Sequence, residues 1–263
     1  MFEGQGGDRL DALVRLGGSL GGARPKVRMF KNEHGEFHPK GEVQNEHWIV
    51  KFGTRTEIKD GGGIEAAYAA IAHLAGLKMA QTELIASSLG AGGFAAERFD
   101  RMNGRKKHFL SLAGALDLDF RIPSIGYETL LKACFAITRD IREVEAAFRA
   151  MVFNIAMHNR DDHSKNFGFL TGDDFVWRFA PSYDLTFNHG PSGEHSLDVV
   201  GEGQAPSRAD ILKVAKSTGI KERRALDIIG EVNEASLGLG VELSKFGVSK
   251  LARQEILGFV KAV

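Results

Sequence analysis

Short apolar runs alternate with glycine clusters in the first part of the chain. Four runs of apolar and β-branched residues predict strands, at residues 27–30, 47–52, 82–87 and 93–99. Between the second and the third run, apolar positions repeat at helical spacing from Ile64 to Leu74, and Gly76 stands where that helix should end. A small sheet accompanied by one helix is therefore expected in this part of the protein.

Helical periodicity takes over further along the chain. Residues 127–137 and 141–157 carry apolar stripes at spacings of three and four, which is typical of helices packed against a core. Residues 208–263 predict further helices, with breaks at Gly219 and Gly230. The second part of the chain is therefore expected to be mostly helical.

The order of these elements predicts an α+β fold with two lobes. A small β-rich N-lobe would cover residues 1–104, and a mainly helical C-lobe would cover residues 105–263. Ligand sites are found most often in clefts between such lobes. We therefore expect a ligand cleft at the hinge, near residues 97–105.

A strongly polar loop lies between two apolar stretches of the second lobe. Its polar residues are Asn159, Arg160, Asp161, Asp162, His163, Lys165 and Asn166. Because desolvating so many charges is costly, a compensating partner such as a bound cation is expected. Arg160 and Asp161, followed by Asn166, match the R-D-x-x-x-x-N core of a kinase catalytic loop. In that loop the Asp accepts the substrate hydroxyl proton and the Asn holds Mg²⁺, for which Asp184 is the expected second ligand.

Other interpretations of these residues stay open. The acids Asp161, Asp162 and Asp184 are also compatible with ordinary turn positions. Together with His158 and His163 they would suit a metal-dependent phosphohydrolase with two metal ions, which needs no glycine loop. A third possibility is a kinase fold that is inactive and serves as a binding scaffold in a repressor complex.

Glycine is the one compositional outlier, with 32 of 263 residues, against a typical share of about 7%. The glycines are clustered, and the segment 17–26 reads GGSLGGARPK. Because glycine has no Cβ, such a loop lets backbone N–H groups approach phosphate oxygens closely. This segment matches neither of the common phosphate-loop patterns, so by itself it is weak evidence for nucleotide binding.

Charge and cysteine content exclude several classes of protein. Lys and Arg together number 34, as do Asp and Glu, so no overall field favours direct binding to nucleic acid or to an anionic membrane. The single cysteine, Cys134, cannot form an internal disulfide. No apolar run approaches the length of a membrane span, and no signal-peptide core is present. A soluble cytoplasmic protein is expected.

Four residues outside the polar loop are candidates for nucleotide binding. Lys51 ends a predicted strand and is a suitable point charge for α- and β-phosphates, and Glu65 in the first turn of the next helix could pair with it. Glu97 and Phe99 stand at the hinge, where backbone groups and an aromatic ring could meet adenine. A solvent-exposed lysine, a helix-terminal acid and a core phenylalanine are the structural alternatives.

Taken together, the chain resembles the HipA toxin kinases, the serine/threonine kinase half of bacterial toxin–antitoxin modules. The segments that carry the resemblance are GGSLGGARPK at 17–26, WIVK at 48–51, FAAERFDR at 94–101, NRDDHSKNFGFL at 159–170 and APSYD at 180–184. The resemblance implies a protein-kinase-like fold and an ATP- and Mg²⁺-dependent protein serine/threonine kinase.

The resemblance also implies roles for individual residues. Asp161 would be the catalytic base, with Asn166 and Asp184 as Mg²⁺ ligands, and Lys165 would help to neutralise the transferring phosphoryl group. Ser19 would be a site of autophosphorylation that silences the kinase. The implied nucleotide-binding residues are Ser19, Gly21, Gly22, Ala23, Lys51, Glu65, Glu97, Phe99 and His163.

Partners follow from the resemblance as well. A small helix-turn-helix antitoxin of the HipB type would bind this chain and would supply the contacts to DNA. An aminoacyl-tRNA synthetase is the protein substrate that the family suggests. Family members carry an additional amino-terminal subdomain before the glycine loop, which begins here at Gly17. The chain is therefore expected to be a fragment, or a short form to which a separate small protein supplies that subdomain.

Overall fold

The computed structural model describes residues 26–41, 46–52, 59–87, 90–102 and 104–263. The described chain divides into two compact units. The first contains the described residues up to Ala69 together with Ala80–Lys106 and Gly240–Glu255, and the second contains Ala70–Met79, Lys107–Leu239 and Ile256–Val263. The lobe boundary expected after residue 104 stays a prediction. None of the helices in the described ranges combines the length and the apolar character that a membrane span requires.

An antiparallel sheet of five strands is the main element of the first unit. Its strands are β1 (Lys26–Lys31), β2 (Phe37–His38), β3 (Glu46–Lys51), β4 (Thr82–Ser87) and β5 (Gly90–Glu97), in the order β2-β1-β3-β5-β4. Val27 pairs with Val50, and Met29 pairs with Trp48. All four side chains belong to one buried cluster, so alternate residues of β1 and β3 face the same core. The four strands predicted from the sequence are thus present in one sheet.

Helix α1 (Gly61–Leu74) begins three residues before the predicted start at Ile64. Its first three residues are glycines, and at Gly62 the helix packs directly on a strand backbone. A Cβ atom at Gly62 would lie 2.1 Å from the carbonyl oxygen of Gly92 in β5. The helix ends as predicted, since Gly76 has a φ of +73°, which suits the turn that follows a helix.

The remaining elements are short strands and helices. Strands β6 (Arg101–Met102) and β7 (Arg105–Lys106) form a hairpin, and β8 (His108–Ser111), β9 (Gly168–Thr171) and β10 (Trp177–Phe179) form a sheet in the order β10-β9-β8. The helices are α2 (Leu112–Leu116), α3 (Tyr127–Thr138), α4 (Ile141–Ala156), α5 (Arg208–Ser217), α6 (Glu222–Ser236), α7 (Leu239–Lys245) and α8 (Lys250–Phe259). The α+β class predicted from the sequence is confirmed.

Helix α4 is the most deeply buried helix element of the second unit. Phe148, Met151 and Val152 are completely buried, and Asp140 caps the helix by accepting a hydrogen bond from the amide of Arg142. The polar loop at residues 159–166 follows this helix closely in the sequence. Because the helix is buried in the core, the first residue of the loop is held in a fixed position.

The two glycines predicted to break the carboxyl-terminal helices behave differently. Gly219 has a φ of +81° and lies between α5 and α6, as predicted. Gly230 lies inside α6, so the predicted break is wrong there. Ile228, Ile229 and Val232 of this helix are fully buried. Their burial outweighs the cost of an exposed helical glycine, which is about 1 kcal/mol.

Candidate functional site

Lys51 and Glu65 form an ion pair in the first unit. The Nζ atom of Lys51, at the end of β3, lies 2.8 Å from Oε2 of Glu65, in the second turn of α1. Both side chains are largely buried, with exposed fractions of 12% and 4%. The ring of Phe94 flanks the ammonium group at 5.6 Å. The pair therefore holds a positive charge in a fixed place with limited access to water.

The expected hinge begins where β5 ends. The amide of Glu97 donates to the carbonyl of Gln81 at 2.9 Å, and the amide of Arg98 donates to the carbonyl of His47 at 2.7 Å. Phe99 follows in a turn and is half-buried. The amide hydrogens of Glu97 and Arg98 are therefore engaged within the sheet, and a ligand at this position would have to use other backbone groups.

Ion pairs hold the turn after Glu97. The guanidinium of Arg98 donates two hydrogen bonds to the carboxylate of Asp100, at 2.9 and 2.8 Å, and Arg101 adds one at 2.6 Å. Although burial opposes it, the pairing with Arg98 lowers the pKa of Asp100. Burial and the charge of Glu46 raise the pKa of Glu97. The carboxylate of Asp100, paired with two arginines, is thus the centre of the turn.

The polar loop of the second unit starts with an unusual backbone conformation. His158 follows α4 with a φ of +53°, and the backbone of Asn159 pairs with that of Asn188 in a parallel bridge. The Nδ2 atom of Asn159 donates to Oδ1 of Asn154 in α4 at 2.9 Å. The left-handed conformation of His158 turns the chain away from the helix axis. The contacts of Asn159 with Asn188 and Asn154 then fix the start of the loop.

Arg160 of the R-D motif is a structural clamp. Its guanidinium donates to the carbonyl of Gly193 and, at 2.5 Å, to the carbonyl of Gln204. Its own carbonyl accepts a hydrogen bond from the hydroxyl of Ser196 at 3.1 Å. The side chain therefore anchors the loop to residues 193–204.

Asp161 and Asn166 are brought together by a hydrogen bond. The Nδ2 atom of Asn166 donates to the backbone carbonyl of Asp161 at 2.7 Å. Because that contact requires the amide nitrogen, Oδ1 is the atom that Asn166 can offer to a cation. The Asp161 side chain is 47% exposed, and its Oδ1 lies 3.7 Å from Nε2 of His163. The loop thus presents a carboxylate at the surface above an oriented amide.

Asp162 has a different role from Asp161. It is 1% exposed, and its Oδ1 accepts from the amide of Ser196 at 2.7 Å. Its Oδ2 accepts from the hydroxyl of Tyr127 at 2.5 Å and contacts Nδ1 of His195 at 2.7 Å. Both oxygens are therefore engaged by protein groups, which argues against Asp162 as a metal ligand in a two-metal site. Among the described residues, no group of three or more His, Cys, Asp or Glu side chains is arranged to hold a metal.

Lys165 and His163 pack against Phe120, from the segment before α3. The Nζ atom of Lys165 lies 3.6 Å from the centre of the Phe120 ring, and the ring of His163 meets the same ring edge-on at 5.3 Å. Such a cation–π contact contributes about 0.5–1 kcal/mol at an exposed site. Phe120 therefore limits where the ammonium group of Lys165 can move.

The segment that carries Asp184 is tied to the polar loop. The hydroxyl of Tyr183 donates to the carbonyl of Lys165. Burial, followed by the charge of Asp184, raises the pKa of Tyr183. A cavity of only about 10 Å³ is lined by Asn166 from the loop and by Tyr183 and Ser182 from the segment, so the two pack closely. Asp184 itself has a φ of +56°, a left-handed conformation that is uncommon outside glycine but better tolerated by Asp than by most residues.

Several predicted residues lie outside the described part of the chain: Ser19, Gly21, Gly22 and Ala23. Conversely, the structure shows four contacts that the sequence analysis missed, made by Phe120, Tyr127, His195 and Ser196. Tyr127 reads as an ordinary core residue of a helix. The other three stand far from the loop in the sequence, so local spacing carries no signal for them.

Comparison with known proteins identifies the relatives of this chain. The model of the HipA-like C-terminal domain family matches residues 18–238. HipA of Shewanella oneidensis MR-1, solved in a toxin–antitoxin complex with HipB and operator DNA, has a TM-score of 0.68 at 16% identity, over 92% of this chain and 62% of that chain. The Helicobacter pylori proinflammatory kinase CtkA has a TM-score of 0.55 at 16% identity, over 92% and 94% of the two chains. A search of curated proteins found no significant match.

These comparisons settle the fold and the family. At such identities the two solved structures show the architecture alone, and they confirm the predicted two-lobe, kinase-like α+β fold. The chain spans less than two thirds of the Shewanella HipA chain. Because the family match covers most of the residues, from 18 to 238, the chain belongs to the HipA-like C-terminal domain family.

Proposed function

We propose that this chain is an ATP- and Mg²⁺-dependent protein serine/threonine kinase. The observation that carries the proposal is the geometry of the polar loop. Asn166 is locked onto the carbonyl of Asp161, while the carboxylate of Asp161 stays accessible at the surface. A kinase catalytic loop needs this combination, an accessible base beside an oriented metal-binding amide.

In the second unit, the residues divide into a base and cation ligands. Asp161 accepts the proton of a seryl or threonyl hydroxyl while the hydroxyl oxygen bonds to the γ-phosphorus and ADP leaves with the electrons of the broken P–O bond. Oδ1 of Asn166 and the carboxylate of Asp184 are oxygen donors that suit Mg²⁺. The cation supplies charge neutralisation on the phosphate oxygens. Lys165 adds positive charge near the transferred group, and His163 contacts the nucleotide.

In the first unit, the residues bind the nucleotide. Lys51, fixed by Glu65, is the point charge for α- and β-phosphates. Glu97 and Phe99 contact adenine. The backbone of the glycine-rich segment, with Ser19, Gly21, Gly22 and Ala23, contacts the phosphates. Phosphorylation of Ser19 would place about −1.5 to −2 charges beside those phosphates and so repel the nucleotide.

The partners are proposed on the same basis. The Shewanella HipA structure contains HipB and operator DNA, which supports a small HipB-like helix-turn-helix antitoxin as the partner of this chain. The equal numbers of acidic and basic residues fit a protein that leaves DNA contacts to its partner. An aminoacyl-tRNA synthetase as protein substrate, a separate protein that supplies an amino-terminal subdomain, and a cytoplasmic location complete the proposal.

The test is phosphotransfer from ATP and Mg²⁺, with phosphate mapped by mass spectrometry. Asp161→Asn is expected to lower the rate about 10²–10⁴-fold, the range for losing a general base. Asp227→Asn removes an exposed carboxylate on α6 and serves as the matched control with an unchanged rate. Phosphate on Ser19 in the wild type would support self-silencing. ATP binding without any phosphotransfer would contradict the proposal and favour the scaffold interpretation.

A further inference from the structure

A buried hydrogen-bond network within the second unit holds the polar loop in place. We propose that Tyr127, Asp162 and His195 form a positioning unit, which fixes the loop backbone and thereby the direction of the Asp161 carboxylate without touching nucleotide or substrate. This inference rests on the proposed function, in which Asp161 is the base. It assigns a positioning role to Tyr127 and His195, which no sequence motif marks, and to the buried neighbour of Asp161.

Neighbouring aspartates in the loop point to opposite environments. Asp162 is 1% exposed and accepts hydrogen bonds at both oxygens, whereas Asp161 is 47% exposed. Because the two residues share a peptide bond, holding the side chain of Asp162 fixes the backbone from which Asp161 projects. Holding Asp162 therefore restricts the positions that the Asp161 carboxylate can take.

The network reaches the loop at a second place. The Tyr127 hydroxyl, which donates to Asp162, also accepts from Nδ2 of Asn154 at 3.0 Å. Oδ1 of Asn154 in turn accepts from Nδ2 of Asn159 at 2.9 Å. Asn159 and Asp162 lie on either side of Asp161 in the sequence, so one continuous chain of hydrogen bonds holds the backbone both before and after the base.

A third contact holds Arg160, the residue before Asp161. The segment that supplies His195 and the Ser196 amide to Asp162 also supplies the Ser196 hydroxyl, which donates to the carbonyl of Arg160 at 3.1 Å. The residue immediately before Asp161 is therefore held as well. Groups from α3, α4 and residues 195–196 therefore hold the three loop residues around Asp161, which are Asn159, Arg160 and Asp162.

This arrangement should affect the chemical step more than binding. A buried carboxylate that loses one donor is left partly unsatisfied, and the loop around it must relax. Catalysis tolerates little such relaxation, since a misplacement of about 1 Å can cost about 10²-fold in rate. Lys51, the proposed phosphate ligand, belongs to the first unit, whereas the network belongs to the second. A purely structural network would instead lower stability and leave the rate of the folded enzyme unchanged.

The experiment compares kcat for phosphotransfer with the Kd for ATP in four variants. Tyr127→Phe and His195→Leu each remove one donor to Asp162, and each is expected to lower kcat about 10–100-fold while the Kd for ATP changes less than about twofold. His195→Asn keeps an N–H donor close to the position of Nδ1 and should recover most of the rate. Ser236→Ala, which removes a buried hydroxyl bonded only within α6, is the control with unchanged kcat.

Two results would overturn the inference. One is an unchanged kcat in folded His195→Leu and Tyr127→Phe proteins; the other is a Kd for ATP that weakens as much as kcat falls. If the wild-type chain transfers no phosphate, the proposed function fails, and hydrogen exchange of the amides in residues 159–166 decides the positioning role. Faster exchange there in His195→Leu than in Ser236→Ala supports it, and equal exchange refutes it.

Discussion

At the scale of single residues, burial decides what each charged group can do. Lys51 and Glu65 lie 14 residues apart, and folding places both where water has little access. A buried ion pair gains little over an apolar pair of the same shape, yet breaking it is costly because one charge remains without compensation. The presence of such a pair at the end of β3 is therefore better explained by use of the lysine charge than by stability.

This interpretation predicts a split between stability and activity. Glu65→Gln is expected to lower the free energy of unfolding by about 1–3 kcal/mol, because the Lys51 ammonium loses its charged acceptor. Replacing both residues, as Lys51→Met with Glu65→Leu, should recover most of that stability and still abolish phosphotransfer. Urea unfolding and a phosphotransfer assay measure the two quantities. A double variant that keeps its activity would contradict the role of the lysine.

His158 makes stability depend on pH. Burial lowers its pKa from 6.5 to about 4, and the charge of Arg160 adds to the effect. Between those values the unfolded chain binds a proton that the folded protein does not, so stability should fall as pH falls from about 6.5 towards 4. Urea midpoints at pH 7 and pH 5 test this. His158→Asn, which tolerates the left-handed backbone, should reduce the pH dependence.

The control for that experiment is His73→Asn, because His73 is exposed on α1. Its removal should leave the difference between the two midpoints unchanged. Equal pH dependence in the wild type and in His158→Asn would show that other groups govern acid stability.

At the scale of elements, periodicity predicted the longer helices and strands well. Strand β4 and helix α3 begin at the predicted residues. Strands β8 and β10 and helix α2 were not predicted, because each has five residues or fewer and so is too short to display a period. Predicted and observed starts of α1 differ because the three glycines at its start have no apolar side chain and so add nothing to a periodic pattern.

Two glycines in helices provide a matched pair for testing that packing. Gly62→Ala would place a Cβ 2.1 Å from the Gly92 carbonyl oxygen, and it is expected to cost at least about 1–3 kcal/mol. Gly230→Ala meets nothing within 4 Å and should stabilise α6 by up to about 1 kcal/mol. Thermal unfolding of both variants gives the comparison. Equal effects of the two changes would mean that α1 does not approach β5 this closely.

At the scale of the whole molecule, the compact units are built from segments that are distant in the sequence. The first unit includes Gly240–Glu255, and there the amide and the hydroxyl of Ser249 donate to the carboxylate of Asp60 at 2.6 and 2.8 Å, across 189 residues of chain. Asp60 immediately precedes α1, the helix that carries Glu65. A chain cut between the predicted lobes would therefore separate residues that one unit needs.

The sequence by itself determined the periodic elements, the α+β class and the loop in which the candidate catalytic chemistry is concentrated, since these depend on local spacing. Only the tertiary structure decided that Asp161 faces the surface and Asp162 the interior, and that Arg160 is a clamp. The partners that make this difference, such as Tyr127 and His195, lie more than 30 residues from Asp162. Burial and hydrogen bonding over such separations arise only when the chain is folded.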